Sequence, residues 1–485
     1  MSVVNRTDFY KVDHRSQYPK NTQMVFSNWT ARSSRMPGIN EVVFFGLQAY
    51  AYEELQITWA REFFSQPREF ALRSYERRIK GAGINITYDH IAALYDLGYL
   101  PIEIWALEEG HSVPIGVPMF VIFNTHPDFF WVTNYLETDL SANIWGPCTA
   151  ATIAKEYRRI FTYYTELSGG DLSFVDWQGH DFSYRGMYGT KAAAMSGAAH
   201  LLSFNGTDTI PAIDFLEMYY YGGDQFIGGS VPATEHSVMC MGSKENEIET
   251  YRRLITETYP TGIVSIVSDT WDYWNVWTKI LPALKADIMK RDGKVVIRPD
   301  SGDPVEIICG NSQLGQDGGS TPANKGSFQM AWELFGGTVN EKGYKQLDPH
   351  IGLIYGDSIT LDRAEEICDR LVVAQRFVPN VVLGIGSYTY QHITRDTFGF
   401  ALKSTAGVVD GQVREIFKDP VTDVGKTKKS AKGFTAVYNR DGKYVLKDGA
   451  TLDDVKSCAF IRVYKDGVSH MRANLGRMRA AVRKI

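Results

Sequence analysis

The sequence predicts an α/β protein, built on a parallel sheet or barrel and carrying a second, smaller mixed domain. Three observations carry this. In the middle of the chain short apolar runs recur, each followed by a polar loop and then by a stretch long enough for a helix. Those runs end in Gly, Ser, Asp or Arg, the residue types that build sites past the strand ends of such folds. Finally, 485 residues exceed one typical domain, and the pattern turns short and basic after Gly407.

In chain order, Glu41–Glu53 reads as a helix through Val43, Phe44, Leu47 and Tyr50. Ile102–Phe123 reads as strands broken by turns, and Ala151–Leu167 as an amphipathic helix with Ile153, Tyr157, Ile160 and Tyr164 at helical spacing. The strand-like runs then follow. Leu201–Phe204 leads into NGTD, Ile263–Val267 into SDTWD, Val295–Ile297 into RPDSGDP, Leu353–Tyr355 into GDSIT and Val381–Leu383 into GIGSY. Lys244–Thr258 and Leu361–Leu371 are long enough for intervening helices. Gly310–Gly326, rich in Gly, Ser, Asn and Gln, is expected to be a surface loop. Past Gly407, Phe434–Tyr438 and Lys443–Leu446 read as strands joined by the hairpin turn NRDG. This tail is expected to fold back on the N-terminal part. The expected division is a mixed α+β domain of residues 1–175, completed by about 408–485, and a barrel-like domain of residues 176–407.

Composition narrows the function. A net charge of −5 argues against general nucleic-acid binding but leaves room for a local basic pocket. The five cysteines (Cys148, Cys240, Cys309, Cys368 and Cys458) are scattered and form no CxxC, so buried free thiols are expected rather than disulfides or zinc. The polar start Met1–Tyr10 has no apolar signal core, and no run approaches the ~20 apolar residues of a membrane span. A cytoplasmic protein is the expectation.

Five constellations carry chemistry. Arg298-Pro299-Asp300-Ser301-Gly302-Asp303 follows a β-branched strand; its Arg suits a phosphate or polar ring, its Asp a hydroxyl or hydrated Mg²⁺. Gly356-Asp357-Ser358 and Gly384-Ile385-Gly386-Ser387 offer backbone N–H groups to phosphate and a carboxylate to ribose. His236, in SVPATEHS, suits a base or phosphoryl acceptor, though a lone histidine is more often structural. HDFSYRG places Phe182 and Arg185 together, as a flat heteroaromatic ring would need, or as a core aromatic beside a surface charge. Arg32, Arg395, Lys403, Lys418 and Lys426 form a basic set that a pyrophosphate could draw together. Gly425-Lys426-Thr427 lacks the earlier glycine and the strand–helix setting of a P-loop, which excludes that motif.

Taken in order, DFYKVDHRSQYP, HDFSYRG, FNGTDT, SVPATEHS, SIVSDTWD, IRPDSGDP, YGD, the ITRD run and IFKDPVTD resemble the nicotinamide phosphoribosyltransferase family, among the type II phosphoribosyltransferases. The resemblance runs from about Asp8 to Lys432. It implies an irregular (β/α) barrel, a second mixed α+β domain built from both chain ends, and a homodimer with shared active sites. It implies transfer of phosphoribosyl from phosphoribosyl pyrophosphate to nicotinamide, with Mg²⁺, and stimulation by ATP through a phosphorylated histidine. Position by position, Phe182 matches a ring-stacking residue and Tyr10 its counterpart from the partner subunit. Asp208 matches the carboxamide acceptor, and Arg185 and Arg298 the arginines around ring and phosphate. Asp300 matches the ribose-side carboxylate, and Gly356 and Asp357 the ribose and phosphate loop. His236 matches the phosphorylated histidine, with Ser230 and Ser265 near it, and Asp269 is expected to orient it. The basic set matches cations around the phosphates. In GIGSY, Gly386 is kept but Ser387 stands where the family is richer in glycine, and Phe9 stands where it has Ser before the stacking Tyr.

The nearest rival is nicotinate phosphoribosyltransferase, for which a basic or neutral residue at Asp208 would speak. A barrel aldolase or isomerase would want a Schiff-base lysine at a strand end, and none stands there. A non-catalytic nucleotide-binding relative would not need His236, Asp208, Arg298 and Asp300 together.

Overall fold

The computed structural model describes residues 2–83, 86–221, 226–311, 321–417 and 431–484. The chain divides into two compact units: Met1–Thr152 with Leu216–Asp224 and Ile393–Val482, and Ile153–Phe215 with Gln225–His392 and Arg483–Ile485. The first is built around a seven-stranded antiparallel sheet, in the order Gln412–Glu415, Ala401–Val409, Thr22–Thr30, Pro118–Asn124, Ile102–Ala106, Ile461–Lys465 and Val468–Ser469. Its centre is buried throughout: every residue of Pro118–Asn124 is buried, and all but Asn124 are apolar. Trp29 stacks between Phe120 at 5.9 Å and Phe400 at 5.4 Å, burying large flat surfaces in near-parallel contact.

The strand Ala401–Val409 pairs with Thr22–Thr30 in this first unit. The barrel unit therefore releases the chain near residue 393, not near 407 as expected from the sequence. At the other end the second unit takes up the chain at Ile153, not at 176, within the helix Glu137–Leu167, which starts before the expected Ala151 and runs through Pro147.

Three local expectations are corrected. Glu41–Val43 is a strand paired with Ser112–Pro114, and the helix begins only at Leu47. The separator is Gly46, whose φ of 106° no ordinary helical residue adopts. Leu201–Phe204 is not a strand but the end of the helix Thr190–Ser203 and its cap. Four apolar residues cannot distinguish the two by periodicity, and the preceding Ala-rich run favours helix. The Gly310–Gly326 segment is a loop only in part. Residues 312–320 lie outside the described ones, while Pro322–Phe335 is helical on either side of a kink at Gly326, whose φ is 74°. Gly326 is buried there with its backbone against Gly310, so neither tolerates a Cβ. The NRDG turn joins Phe434–Arg440 to Lys443–Ala450 with Asp441 and Gly442 at φ of 51° and 82°, as a tight hairpin turn with two positive φ values requires. The five cysteines are free, and Cys240 is exposed rather than buried.

The second unit holds a six-stranded parallel sheet in the order Gly206–Thr207, Gly179–Asp181, Val381–Ile385, Ile351–Tyr355, Asp292–Arg298 and Thr261–Val267. Its two edges are bridged by one short segment. Gly229 pairs in parallel with Gly206, and Ala233 with Ser265. The sheet thus curls into an irregular barrel, closed by the SVPATEHS segment. Every strand enters from the same side, so the polar segments that follow Thr207, Val267, Arg298, Tyr355 and Ile385 leave at one end.

Candidate active site

The loops at that end bring the candidate residues of the second unit together. Phe182 follows the strand Gly179–Asp181, and its N–H donates to Ile385 O at 3.0 Å. Asp208 follows Gly206–Thr207, its N–H donating to Asp181 O at 2.9 Å. Arg298 ends its strand, with Asp300 two residues on. Gly356 and Asp357 follow Tyr355, Gly386 and Ser387 follow Ile385, and Asp269 lies just past Val267.

Around Asp208 the hydrogen bonds are asymmetric. His180 Nε2 lies 2.9 Å from Oδ1, and Ser230 Oγ donates to the same oxygen at 2.6 Å. Burial acts to raise this carboxyl. The hydrogen bonds from His180 and Ser230, with the charges of His180 and Arg298, outweigh it and hold Asp208 below the ordinary carboxylate value. The His180 ring lies 4.5 Å from Phe182, tilted by 36°. The two side chains share a face because they are two apart at a strand end. That spacing within HDF was the signal for His180, which the sequence reading did not assign.

Glycines make room for the ring of Phe182. A Cβ at Gly384 would stand 2.5 Å from Phe182 Cδ2 and 2.9 Å from Gly356 Cα. One at Gly356 would stand 2.5 Å from Asp300 Oδ1. One at Gly186 would run into Ser387 Oγ. The Ser387 hydroxyl thus packs over the Arg185-Gly186 turn, and Gly386 beside it faces open space. Arg185 itself is exposed in that turn.

The third cluster is a chain of carboxylates and their partners. His236 Nε2 lies 3.0 Å from Asp269 Oδ1. The other oxygen of Asp269 accepts the Asp300 N–H at 3.0 Å and the Ser301 hydroxyl. Burial works to raise Asp269, but these donors and the charge of His236 prevail and lower it. Asp300 goes the other way. Burial raises its carboxyl, helped by the charges of Asp269 and Asp357 and opposed by Arg298. Arg298 reaches Asp300 at 3.6 Å through Nε and donates through Nη2 to Thr234 O at 2.6 Å. Asp300 Oδ1 is buried without a hydrogen-bond partner, as is Ser265 Oγ. Ser265 N–H donates to Pro232 O and Ser265 O accepts from Thr234 N–H, each at 2.9 Å, which fixes the approach to His236.

Other candidates lie in the first unit. Tyr10 sits in the turn Phe9–Asp13, 64% exposed. Arg32 and Arg395 flank one strand pair: Arg32 Nε donates to Gly399 O at 2.9 Å, and Arg395 pairs with Asp396 at 3.3 Å. Lys403 lies on the strand Ala401–Val409, opposite Asn28. Lys418 and Lys426 lie outside the described residues.

Comparison with known proteins fits this arrangement. The model of the nicotinate phosphoribosyltransferase (NAPRTase) family matches residues 177–462, and that of the nicotinamide phosphoribosyltransferase N-terminal domain matches residues 2–104. A nicotinamide phosphoribosyltransferase of Acinetobacter baylyi is 50% identical over 493 residues, spanning 99% of this chain and 96% of that protein. One from Xanthomonas campestris pv. campestris is 32% identical, over 99% and 97%. Among solved structures, nicotinate-nucleotide pyrophosphorylase from Pyrococcus furiosus superposes with a TM-score of 0.59 at 14% identity, over 99% of this chain and 94% of that one. Human nicotinic acid phosphoribosyltransferase gives 0.51 at 14%, over 98% and 93%. The two structural likenesses concern the fold alone.

Proposed function

This chain belongs to the nicotinamide phosphoribosyltransferase family, and we propose that it carries out that transfer with the residues gathered at the strand ends of its barrel. It is a pentosyltransferase that takes nicotinamide and phosphoribosyl pyrophosphate to nicotinamide mononucleotide and pyrophosphate, a reaction of NAD salvage.

In the proposed mechanism the ribose C1–O bond breaks and its electron pair leaves with pyrophosphate. The pyridine nitrogen lone pair forms the new C1–N bond. Binding does most of the work, because the positive charge develops on the sugar and needs no protein nucleophile. Phe182 stacks on the ring. Asp208 accepts the carboxamide N–H through Oδ2, since its two protein donors both occupy Oδ1. This asymmetry is the observation that carries the choice of amide over acid: an ionised Asp208 attracts an N–H and repels the carboxylate of nicotinate. Arg298 and Asp300, with Gly356 and Asp357, take the ribose and its phosphate. Arg185, Gly386 and Ser387 border the base and phosphate, and Arg32, Arg395, Lys403, Lys418 and Lys426 are the proposed cations for phosphate groups.

No cluster of three or more potential ligating side chains exists among the described residues. Mg²⁺ nevertheless suits Asp300 Oδ1, which accepts no hydrogen bond and has the Arg298 guanidinium near it, since this ion takes one or two carboxylates and fills its shell with substrate phosphates and water. When bound it would neutralise charge on pyrophosphate. ATP is the proposed co-substrate. With Nε2 of His236 turned to Asp269, Nδ1 is left as the nucleophile towards the terminal phosphorus, with ADP leaving. We place Tyr10 of a second copy on the ring's other face in a homodimer, a reading supported by the exposure of Tyr10. Among the described residues no helix is long and apolar enough to cross a membrane, and the proposed site of action is the cytoplasm.

Purified protein with phosphoribosyl pyrophosphate, Mg²⁺ and either base tests the whole reading. Nicotinamide mononucleotide should form from the amide in preference to the acid, and faster with ATP. Preference for nicotinate would remove Asp208 from its role. Separately, Gly384→Ala should raise the nicotinamide Michaelis constant roughly tenfold, because a Cβ there displaces the Phe182 ring. An unchanged constant would show that Phe182 does not set the ring position.

A further inference from the structure

We propose that Arg483 is a positioning residue for base selection: it clamps the turn Leu202–Asn205, which leads into Asp208, is bonded to the segment before Ser230 and adjoins Gly206 against the His180 ring. The Arg483 side chain is only 17% exposed and uses four acceptors. Nε donates to Leu202 O at 3.2 Å and Nη1 to Asp176 Oδ2 at 2.8 Å. Nη2 donates to Phe204 O at 3.3 Å and to Asn205 Oδ1 at 2.8 Å. Arg158 completes the clamp, its Nη1 donating to Asp176 Oδ1 at 2.7 Å and to Ser203 O at 2.6 Å. Two guanidinium groups thus satisfy the last carbonyls of the helix Thr190–Ser203, where a helix leaves acceptors unpaired and favours positive charge.

The consequences run directly to the base site. Asn205 N–H donates to Asp176 O at 2.6 Å, and Asn205 O accepts the Gly229 N–H at 2.9 Å. Thr207 N–H returns to Gly229 O at 2.9 Å, so Ser230, the next residue, is held in register with Asp208. Gly206 lies so close to the His180 ring that a Cβ there would stand 2.7 Å from Nδ1. A shift of the 204–206 backbone therefore moves His180, Ser230 and Asp208 together. Arg483 touches no substrate in this scheme, and it lies 278 residues from Asn205 in sequence. Lysine cannot replace it, because one ammonium cannot span acceptors on a helix end, a carboxylate and an amide.

The inference rests on the reading of Asp208 as the carboxamide acceptor, so both are tested in one experiment. Arg483→Ala, Arg483→Lys and Asp208→Asn are compared with the unaltered protein for kcat and KM on nicotinamide and nicotinate, and for KM on phosphoribosyl pyrophosphate. For Arg483→Ala the nicotinamide KM should rise about tenfold and the amide-over-acid preference fall about tenfold, with KM for phosphoribosyl pyrophosphate within about twofold. Arg483→Lys should recover little of this. A preference unchanged in Arg483→Ala but shifted in Asp208→Asn overturns the clamp alone. A preference unchanged in Asp208→Asn overturns the reading of Asp208 beneath it. If Arg483→Ala does not fold, Asn205→Ala removes one arm of the clamp and is judged by the same preference ratio.

Discussion

Asp208→Asn is expected to lower kcat/KM for nicotinamide about 30-fold and to cut the preference for nicotinamide over nicotinate by about 100-fold. The first figure is the loss of one hydrogen bond to an ionised acceptor, about 2 kcal/mol. The second adds the removal of charge repulsion towards the acid. The geometry sets the direction. His180 and Ser230 both point at Oδ1, so the asparagine oxygen must take that position and its NH₂ must take the other. There it meets the carboxamide N–H donor to donor, whereas it can donate to a nicotinate carboxylate. The measurement is a steady-state comparison of both bases at saturating phosphoribosyl pyrophosphate. If the ratio of the two kcat/KM values is unmoved, Asp208 does not touch the carboxamide.

His236→Ala is expected to bring ATP stimulation down to about one-fold, that is, to none, while basal transfer continues. The histidine side chain is 48% exposed and its carboxylate partner only 4%, so the ring is reachable while the group that orients it is shielded. Asp269 is held in place on its far oxygen by the Asp300 N–H and the Ser301 hydroxyl, which orients the carboxylate that fixes the His236 tautomer, as in other carboxylate–histidine pairs. Incubation with ATP labelled in the terminal phosphate should leave acid-labile label on the unaltered protein and none on His236→Ala. Asp269→Asn should keep the acceptor nitrogen but label more slowly. Full ATP stimulation in His236→Ala would remove the phosphorylated histidine from the mechanism.

Much of this was legible in the sequence, and the reason is local. Val295–Ile297, Leu353–Tyr355 and Val381–Leu383 are aliphatic or aromatic runs that end abruptly in polar loops, and each lies within a strand of the parallel sheet. Since parallel strands all end on one side, naming the strands also named the side of the site. Leu361–Leu371 was legible by its length between two strand-like runs and lies within the helix Leu361–Val373, and the NRDG turn was legible through its backbone demands. Leu201–Phe204 and Glu41–Glu53 were misread because a short apolar run fits either a helix end or a strand. For Leu201–Phe204 the preceding Ala-rich run decides, carrying the helix Thr190–Ser203 through it, whereas for Glu41–Val43 a partner distant in sequence does, the strand Ser112–Pro114.

What the sequence determined by itself is the set of chemical groups: Phe182, Asp208, Asp269 and Asp300 just past strands, Arg298 at a strand end and His236 at the start of the helix His236–Met241. Only the tertiary structure decided how those groups pair. The closure of the barrel by Gly229 and Ala233 rests on single bridges that leave no periodic trace. The two donors on Oδ1 of Asp208, the contact of Gly384 with Phe182 and the four bonds of Arg483 are likewise contacts between segments far apart in the chain. Periodicity and turn chemistry report how a residue meets its neighbours along the backbone. Hydrogen-bond direction and close approach depend on where distant backbones come to lie, and that is settled only when the barrel closes.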